Sequence, residues 1–238
     1  MDKVMDLDAA MEKIHDGATI MLGGFLGVGS PLRAIDKLAE RGVKDLTIIS
    51  IVNAHPAGNF DMEILYRHKQ VKKLITSHSG TCQIALDQWA AGETEIEYFP
   101  MGTMVEKMRA AGSGLGGVLT ATGLGTLVEE GKRKLTIEGK EYLLELPLKA
   151  EFAFIKGYRG DRFGNIQYRG VSANSNPVMA TAADYTVAEV NEIVEVGVIT
   201  PECVGTPGIF VQAVVQGNTF EEHQRAYTDQ WVRAKLLK

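Results

Sequence analysis

The stretch Asp16 to Pro31, DGATIMLGGFLGVGSP, constrains the fold more than any other part of the chain. Residues 19–22 form a short apolar run of buried-strand type, which empties into a loop carrying Gly23, Gly24, Gly27 and Gly29. The loop closes on Ser30 and Pro31, where a serine oxygen accepts bonds from the free N–H groups of a new helix and proline suits the first helical position. A strand, a glycine-rich loop and a helix N-terminus together hold anionic ligands through unpaired N–H groups and the positive end of the helix dipole. A purely structural turn produces the same pattern. The spacing is neither G-x-G-x-x-G nor a P-loop, because Ser30 follows Gly29 with no lysine there, so mononucleotide binding of those kinds is disfavoured. Bare backbone at Gly24 and Gly27 would let a ligand approach closely.

Around this stretch the pattern alternates. Leu7, Ala10, Met11 and Ile14 predict a first helix with Asp6 as its cap, and Leu32, Ile35 and Leu38 predict a second that ends near Gly42. Strands are expected at residues 46–52, 71–76 and 95–99, with helices at 82–91 and 105–111. The result is an α/β fold, a mainly parallel central sheet flanked by helices, with ligands at the carboxyl ends of the strands. Those ends are residues 23–29, 53–58, 77–82 and 100–103. Six glycines between residues 112 and 125 predict a mobile or tightly turned segment. Residues 135–137 and 142–146 predict a hairpin with Gly139 in the turn, and strands at 152–158, 164–168, 185–190 and 208–215 make the C-terminal portion β-rich. Residues 1–238 read as a single domain, closed by an amphipathic helix at 219–238 that packs on its own domain or docks a partner subunit.

A net charge of -5 with no basic stripe gives no reason to expect nucleic acid. No apolar run reaches the 18 or so residues of a membrane span, and the acidic N-terminus lacks a signal-peptide core. Cys82 and Cys203 are far apart and without metal-ligand spacing, so free thiols in a reducing, cytoplasmic setting are expected, with no metal and no membrane.

The opening stretch closely resembles the first signature of the family I CoA-transferases: Asp16-Gly17, three apolar residues, Gly23-Gly24-Phe25, then Gly29 and Pro31. Further likeness runs through residues 122–131, 152–168, 173–177 and 206–209, in family order over nearly the whole chain, and is strongest to the α subunit of short-chain fatty acid and acetoacetate CoA-transferases. The resemblance implies a fold related to sugar-phosphate isomerases and ping-pong exchange of CoA between an acyl-CoA and a short-chain carboxylate. No cofactor is permanently bound; the CoA thioester is a substrate. The nucleophile is a glutamate of a β subunit, in a Ser-Glu-Asn-Gly motif that this chain lacks. Glu40, Glu106, Glu151 and Glu202 sit in ordinary contexts, so the chain is half an active site in an α2β2 or similar assembly.

The resemblance places CoA binding on Gly23, Gly24, Phe25, Leu26, Gly27, Val28 and Gly29, and an acyl or oxyanion site near Asn53, Met101 and Gly102. Relatives commonly carry Gln where Met101 stands, so an amide is replaced by an adaptable apolar surface. Residues 173–176, Ala-Asn-Ser-Asn, also depart from the usual Ala-Arg-Asn-Phe-Asn. Asn53 marks either site or plain turn, whereas His55 and His78 read as loop and strand-end residues and His15 as a helix-dipole partner. Lys156, Arg159, Arg162 and Arg169 form a positive cluster, either a solvated face or a contact for CoA phosphates. The alternative is a non-catalytic ligand-binding or regulatory module on the same scaffold.

Overall fold

A computed structural model describes residues 2–52 and 54–236. In chain order the helices are α1 (Leu7–Met11), α2 (Leu32–Arg41), α3 (Glu63–Arg67), α4 (Gln83–Ala90), α5 (Met101–Gly112), α6 (Asn176–Thr181) and α7 (Phe220–Arg233). The strands are β1 (Thr19–Leu22), β2 (Leu46–Ile49), β3 (Val71–Thr76), β4 (Glu95–Tyr98), β5 (Val118–Thr120), β6 (Lys134–Ile137), β7 (Lys140–Glu145), β8 (Ala150–Asp161), β9 (Ile166–Gln167), β10 (Ala183–Val194) and β11 (Ala213–Gln216).

The central sheet runs β11-β10-β8-β1-β2-β3-β4, all parallel, with short β9 antiparallel on β8. Alternate side chains enter two cores, as expected when helices cover both faces. Ile20, Leu22, Ile48, Leu74 and Phe154 pack with α2, while Met21, Ile49, Ile75, Ala153 and Ile155 pack with α5 and α6. From β1 the chain steps outward through β2, β3 and β4, whereas from β8 it steps the other way through β10 and β11. The β1/β8 boundary is therefore the topological switch point, and the carboxyl ends of these two strands flank the crevice where open α/β sheets bind ligands.

Several expected boundaries change. The strand expected at 46–52 stops at Ile49, and Val52 beyond it forms isolated bridges to Phe25 and His78. The segment 112–125 is not all turn, because Val118, Leu119 and Thr120 pair with β7 to make a second, antiparallel sheet β5-β7-β6. Alternation over three residues was too short to separate from the surrounding glycines. The hairpin of β6 and β7 turns at Glu138 and Gly139, with φ of +49° and +76°, the paired positive φ of a type I′ turn. The strand expected at 164–168 shrinks to Ile166–Gln167. That expected at 208–215 is a 3₁₀ turn at Gly208–Phe210 followed by β11, because the Gly208 N–H bonds the Asn165 side chain and not a neighbouring strand.

Candidate active site

Past β1 the backbone folds back tightly. Phe25 and Val28 exchange two N–H···O bonds of 2.9 Å, and Leu26 and Gly27 between them have φ of +50° and +83°. This is again a type I′ turn, with the apolar Leu26 side chain packed on the α5 core. Phe25 stands 38% exposed at the tip. Among the described residues no acceptor is bonded to the N–H groups of Gly27 and Gly29. The vacant Cβ positions point inward: a methyl on Gly24 would meet Ser30 Oγ at 2.2 Å, and one on Gly27 would meet His55 and Tyr227 at 3.2–3.3 Å. Glycine at both positions is thus demanded by the protein's own packing, and substitution there disturbs fold and ligand binding together.

The helix N-terminus departs from expectation. Pro31, not Ser30, is the cap residue of α2, and neither side chain bonds the first turn. Glu189, fully buried on β10, reaches across and accepts from the Ala34 N–H at 2.9 Å. An internal carboxylate therefore meets the first turn of the helix in place of an external anion. Burial pushes the Glu189 carboxyl up and the neighbouring Lys156 ammonium down, while their mutual attraction opposes both shifts. A glutamate inside the apolar run of β10 signals a buried partner but not which one, because Ala34 lies 155 residues earlier.

Met101 and Gly102 lie in the first turn of α5, which starts four residues earlier than the apolar pattern predicts because Pro100 supplies its cap residue. Met101 lines two clefts and Gly102 the second of them. One, of about 310 Å³, is lined by Phe25, Ile51, Met101, Val105 and Arg109 and, from the later chain, by Asn174, Ser175, Pro177 and Val178. The other, of about 750 Å³, runs from Met101 and Gly102 along α5 to Val118, Leu119 and Thr120. The only carboxylate among the described lining residues, Glu106, is held by Arg109 at 3.1 Å. Asn53 lies outside the described residues. Two residues that sequence reasoning left unassigned hold the loop, Asn174 from the exposed rim and Asn176 from beneath: Asn174 Nδ2 donates to the Val28 carbonyl at 2.9 Å and Asn176 Nδ2 to the Gly29 carbonyl at 3.0 Å.

The other candidates separate. His55 is buried under Phe60, Tyr227 and Trp231, with ring centroids 5.6, 6.4 and 4.5 Å away; its Nδ1 accepts from Ala57 N–H, and burial lowers its pKa. His78 sits at the end of β3, as read, bridged to Val52. His15 pairs with Glu151 at 3.1 Å. The expected positive cluster forms only in part: Arg159 and Arg169 share the Tyr158 ring, at 5.0 and 5.3 Å, but Arg159 is paired with Glu192 at 2.7 Å, Arg162 with Asp2 at 2.7 Å, and Lys156 is buried. Both cysteines are free, Cys82 buried and Cys203 exposed. Helix α7 opens on a capping box of Thr219 and Glu222 and lays Tyr227 and Trp231 against His55, beside the glycine loop.

Asp61 is a buried carboxyl below this loop. One of its oxygens has no partner among the described residues, and burial raises its pKa to about 7 against the opposing pull of the nearby Ser30 hydroxyl. The unfolded value is about 3.9, so between about pH 4 and 7 the folded state holds a proton the unfolded state has lost, and stability falls as pH rises through that window. Asp61→Asn removes the slope. The shift corresponds to about 4 kcal/mol at most, and an amide with one unpaired donor returns about 1–3 kcal/mol of it. The variant is therefore expected to be up to about 1–3 kcal/mol more stable than wild type in urea at pH 8 and no more stable at pH 4. Its positive φ of 57° suits Asn.

A parallel sheet with a glycine loop at its switch point, apolar clefts alongside and no free carboxylate in them defines an α/β ligand-binding scaffold. Residues 4–217 match the family described as Coenzyme A transferase, and the chain belongs to that family. It is 46% identical over 211 residues to one of the subunits of the 3-oxoadipate CoA-transferase of Acinetobacter baylyi, covering 88% of this chain and 92% of that one. It is 44% identical over 214 residues to the acetoacetyl-CoA:acetate/butyrate CoA transferase alpha subunit of Clostridium acetobutylicum, covering 90% and 97%. Among solved structures, an acyl-CoA transferase of Escherichia coli O157:H7 superposes with a TM-score of 0.81 at 22% identity; the match covers 91% of this chain but 47% of that longer one, and shows the shared fold. The family match ends just before α7. No helix among the described residues is long and apolar enough to cross a membrane.

Proposed function

We propose that this chain, as one domain, is the α subunit of a cytoplasmic heteromeric CoA-transferase of α2β2 or similar stoichiometry, moving CoA between a short-chain acyl-CoA and a free acid such as acetate, butyrate or acetoacetate. The observation that carries the reading is a cleft of about 310 Å³ beside the glycine loop, lined by Phe25, Met101 and Val105 and by no carboxylate among the described residues. Such a wall binds an acyl chain but has nothing to attack a thioester. The acyl carbonyl is attacked by a glutamate that the β subunit supplies, giving an acyl anhydride and CoA thiolate. The thiolate then adds to the glutamyl carbonyl, releasing the first acid and leaving a glutamyl-CoA thioester, and the second acid reverses both steps. Gly23, Gly24, Phe25, Leu26, Gly27, Val28 and Gly29 receive CoA. The N–H groups of Gly27 and Gly29, without an acceptor among the described residues, are donors suited to an oxyanion or phosphate oxygen. Met101, on the wall of that cleft, and Gly102 beside it are assigned to the acyl group, and Asn53, outside the described residues, is assigned to it by family resemblance alone.

The test is reconstitution. The isolated chain is expected to show no CoA exchange, and mixing with a glutamate-bearing β subunit to restore it; turnover by the purified chain alone would overturn the reading. Met101→Gln supplies an amide beside the cleft in place of an apolar thioether. It is expected to shift the ratio of kcat/KM for acetoacetate over butyrate upward by roughly tenfold, the effect of one added hydrogen bond, in steady-state assays of the complex.

A further inference from the structure

At the base of the crevice between β1 and β8 lies one fully buried amide, Asn176. Its Oδ1 accepts the Lys156 N–H of β8 at 2.9 Å, while Nδ2 donates to the Gly29 carbonyl and the Ser172 carbonyl, each at 3.0 Å. The orientation follows from the partners, since an N–H faces one end and two carbonyls the other. The same Oδ1 fills the space beside Gly23, where a Cβ would lie 1.8 Å from it. Both ends of the glycine loop, Gly23 and Gly29, therefore rest on a single side chain.

A buried filler would not need this pattern. The β1–β8 ladder already joins the strands, with Gly23 N–H bonded to Phe154 O at 3.0 Å, so the Asn176 bonds add nothing to strand pairing. They run from β8 to the far end of the loop, beside the Gly27 and Gly29 N–H groups that lack acceptors among the described residues. Asn174 supplements them from the rim through Val28 O. We infer that Asn176 is a positioning residue of the transfer reaction: it fixes the loop from Gly23 to Gly29 in one arrangement before the thioester arrives, so its donors need not reorganise as charge develops. This rests on the CoA-transferase reading above.

The experiment uses the reconstituted complex and Asn176→Asp, which keeps the volume and the acceptor for Lys156 N–H but turns an oxygen toward two carbonyls. The control is Gln70→Glu. Gln70 is likewise buried and donates through one nitrogen to two carbonyls, Leu38 O at 3.0 Å and Val43 O at 2.8 Å, far from the loop. At pH 8, with acetoacetyl-CoA and acetate, Asn176→Asp is expected to lower kcat/KM about a hundredfold per folded molecule, whereas Gln70→Glu lowers Tm and leaves kcat/KM unchanged. As pH falls toward 5.5 the new carboxyl gains a proton and a donor, so the deficit relative to wild type shrinks at least several-fold. Wild-type kcat/KM in Asn176→Asp, or parallel loss of stability and activity in both variants at every pH, would overturn the assignment. If Asn176→Asp does not fold, Asn174→Ala decides: about a tenfold loss of kcat/KM at unchanged Tm supports it, and unchanged kcat/KM overturns it. Absence of exchange in wild-type complex would instead count against the CoA-transferase reading, which separates the two failures.

Discussion

Replacing Gly29 by Ala is expected to destabilise the chain by about 2–5 kcal/mol and to abolish assembly of the loop. Two costs add. At φ of +74° an L side chain meets the backbone unfavourably, which accounts for about 1–2 kcal/mol. In addition the new methyl would lie 2.5 Å from the Ser172 carbonyl oxygen and 2.9 Å from Asn174 Nδ2, and backbone on a short turn cannot retreat like the end of a flexible side chain. Overpacking of this kind costs about 1–3 kcal/mol. Gly42, which ends α2 at φ of +66° with nothing within 4 Å of its vacant Cβ, isolates the first cost. Gly42→Ala should therefore lose only about 1–2 kcal/mol in urea unfolding. Equal losses for the two variants would mean that the contact with Ser172 contributes nothing.

That contrast also marks what the amino-acid sequence makes readable. The run from Thr19 to Leu22 and the four glycines after it place a strand and a ligand-sized loop, because apolar period and backbone freedom are local properties. What each glycine packs against is not local: the partners Ser172, Asn174 and Asn176 come about 145 residues later and reach the loop only because β8 pairs with β1. The same distance hid the contact of α2 with Glu189, and it led local reading to assign Ser30 a capping role that its burial beside Asp61 excludes. Charge clusters mislead for the opposite reason. Lys156 and Arg159 are close in sequence, but the first is buried between sheet neighbours and the second lies at the rim paired with Glu192. The halves of the site that were legible are those built from one strand and its following loop; the supports contributed by a second strand across the switch point were not.

The second large effect is expected at the junction of the two sheets. Glu145, 1% exposed on β7, is shared by Lys107 of α5 at 3.0 Å and by Lys132, and both ammonium groups also lie over the Phe99 ring, 4.2 and 5.1 Å from its centroid. Glu145→Gln keeps the volume and removes the carboxylate that both ammonium groups share, leaving the largely buried Lys107 without its partner. Breaking a buried pair in this way costs about 3–5 kcal/mol, and for a chain of this size about 3 kcal/mol lowers Tm by roughly 6–12 °C. Lys107→Met is the informative partner, because it leaves a one-to-one pair of Glu145 with Lys132 and should cost clearly less. Lys107 also anchors the helix whose first turn carries Met101, and β5 supplies the opposite wall of the larger cleft. Loosening should consequently be local: hydrogen exchange is expected to quicken across β5, β6 and β7 in Glu145→Gln while β1 and β2, held in the central sheet, keep their protection. If the two sheets lose protection together, or if Lys107→Met is the more damaging change, the carboxylate is not what binds the small sheet to α5.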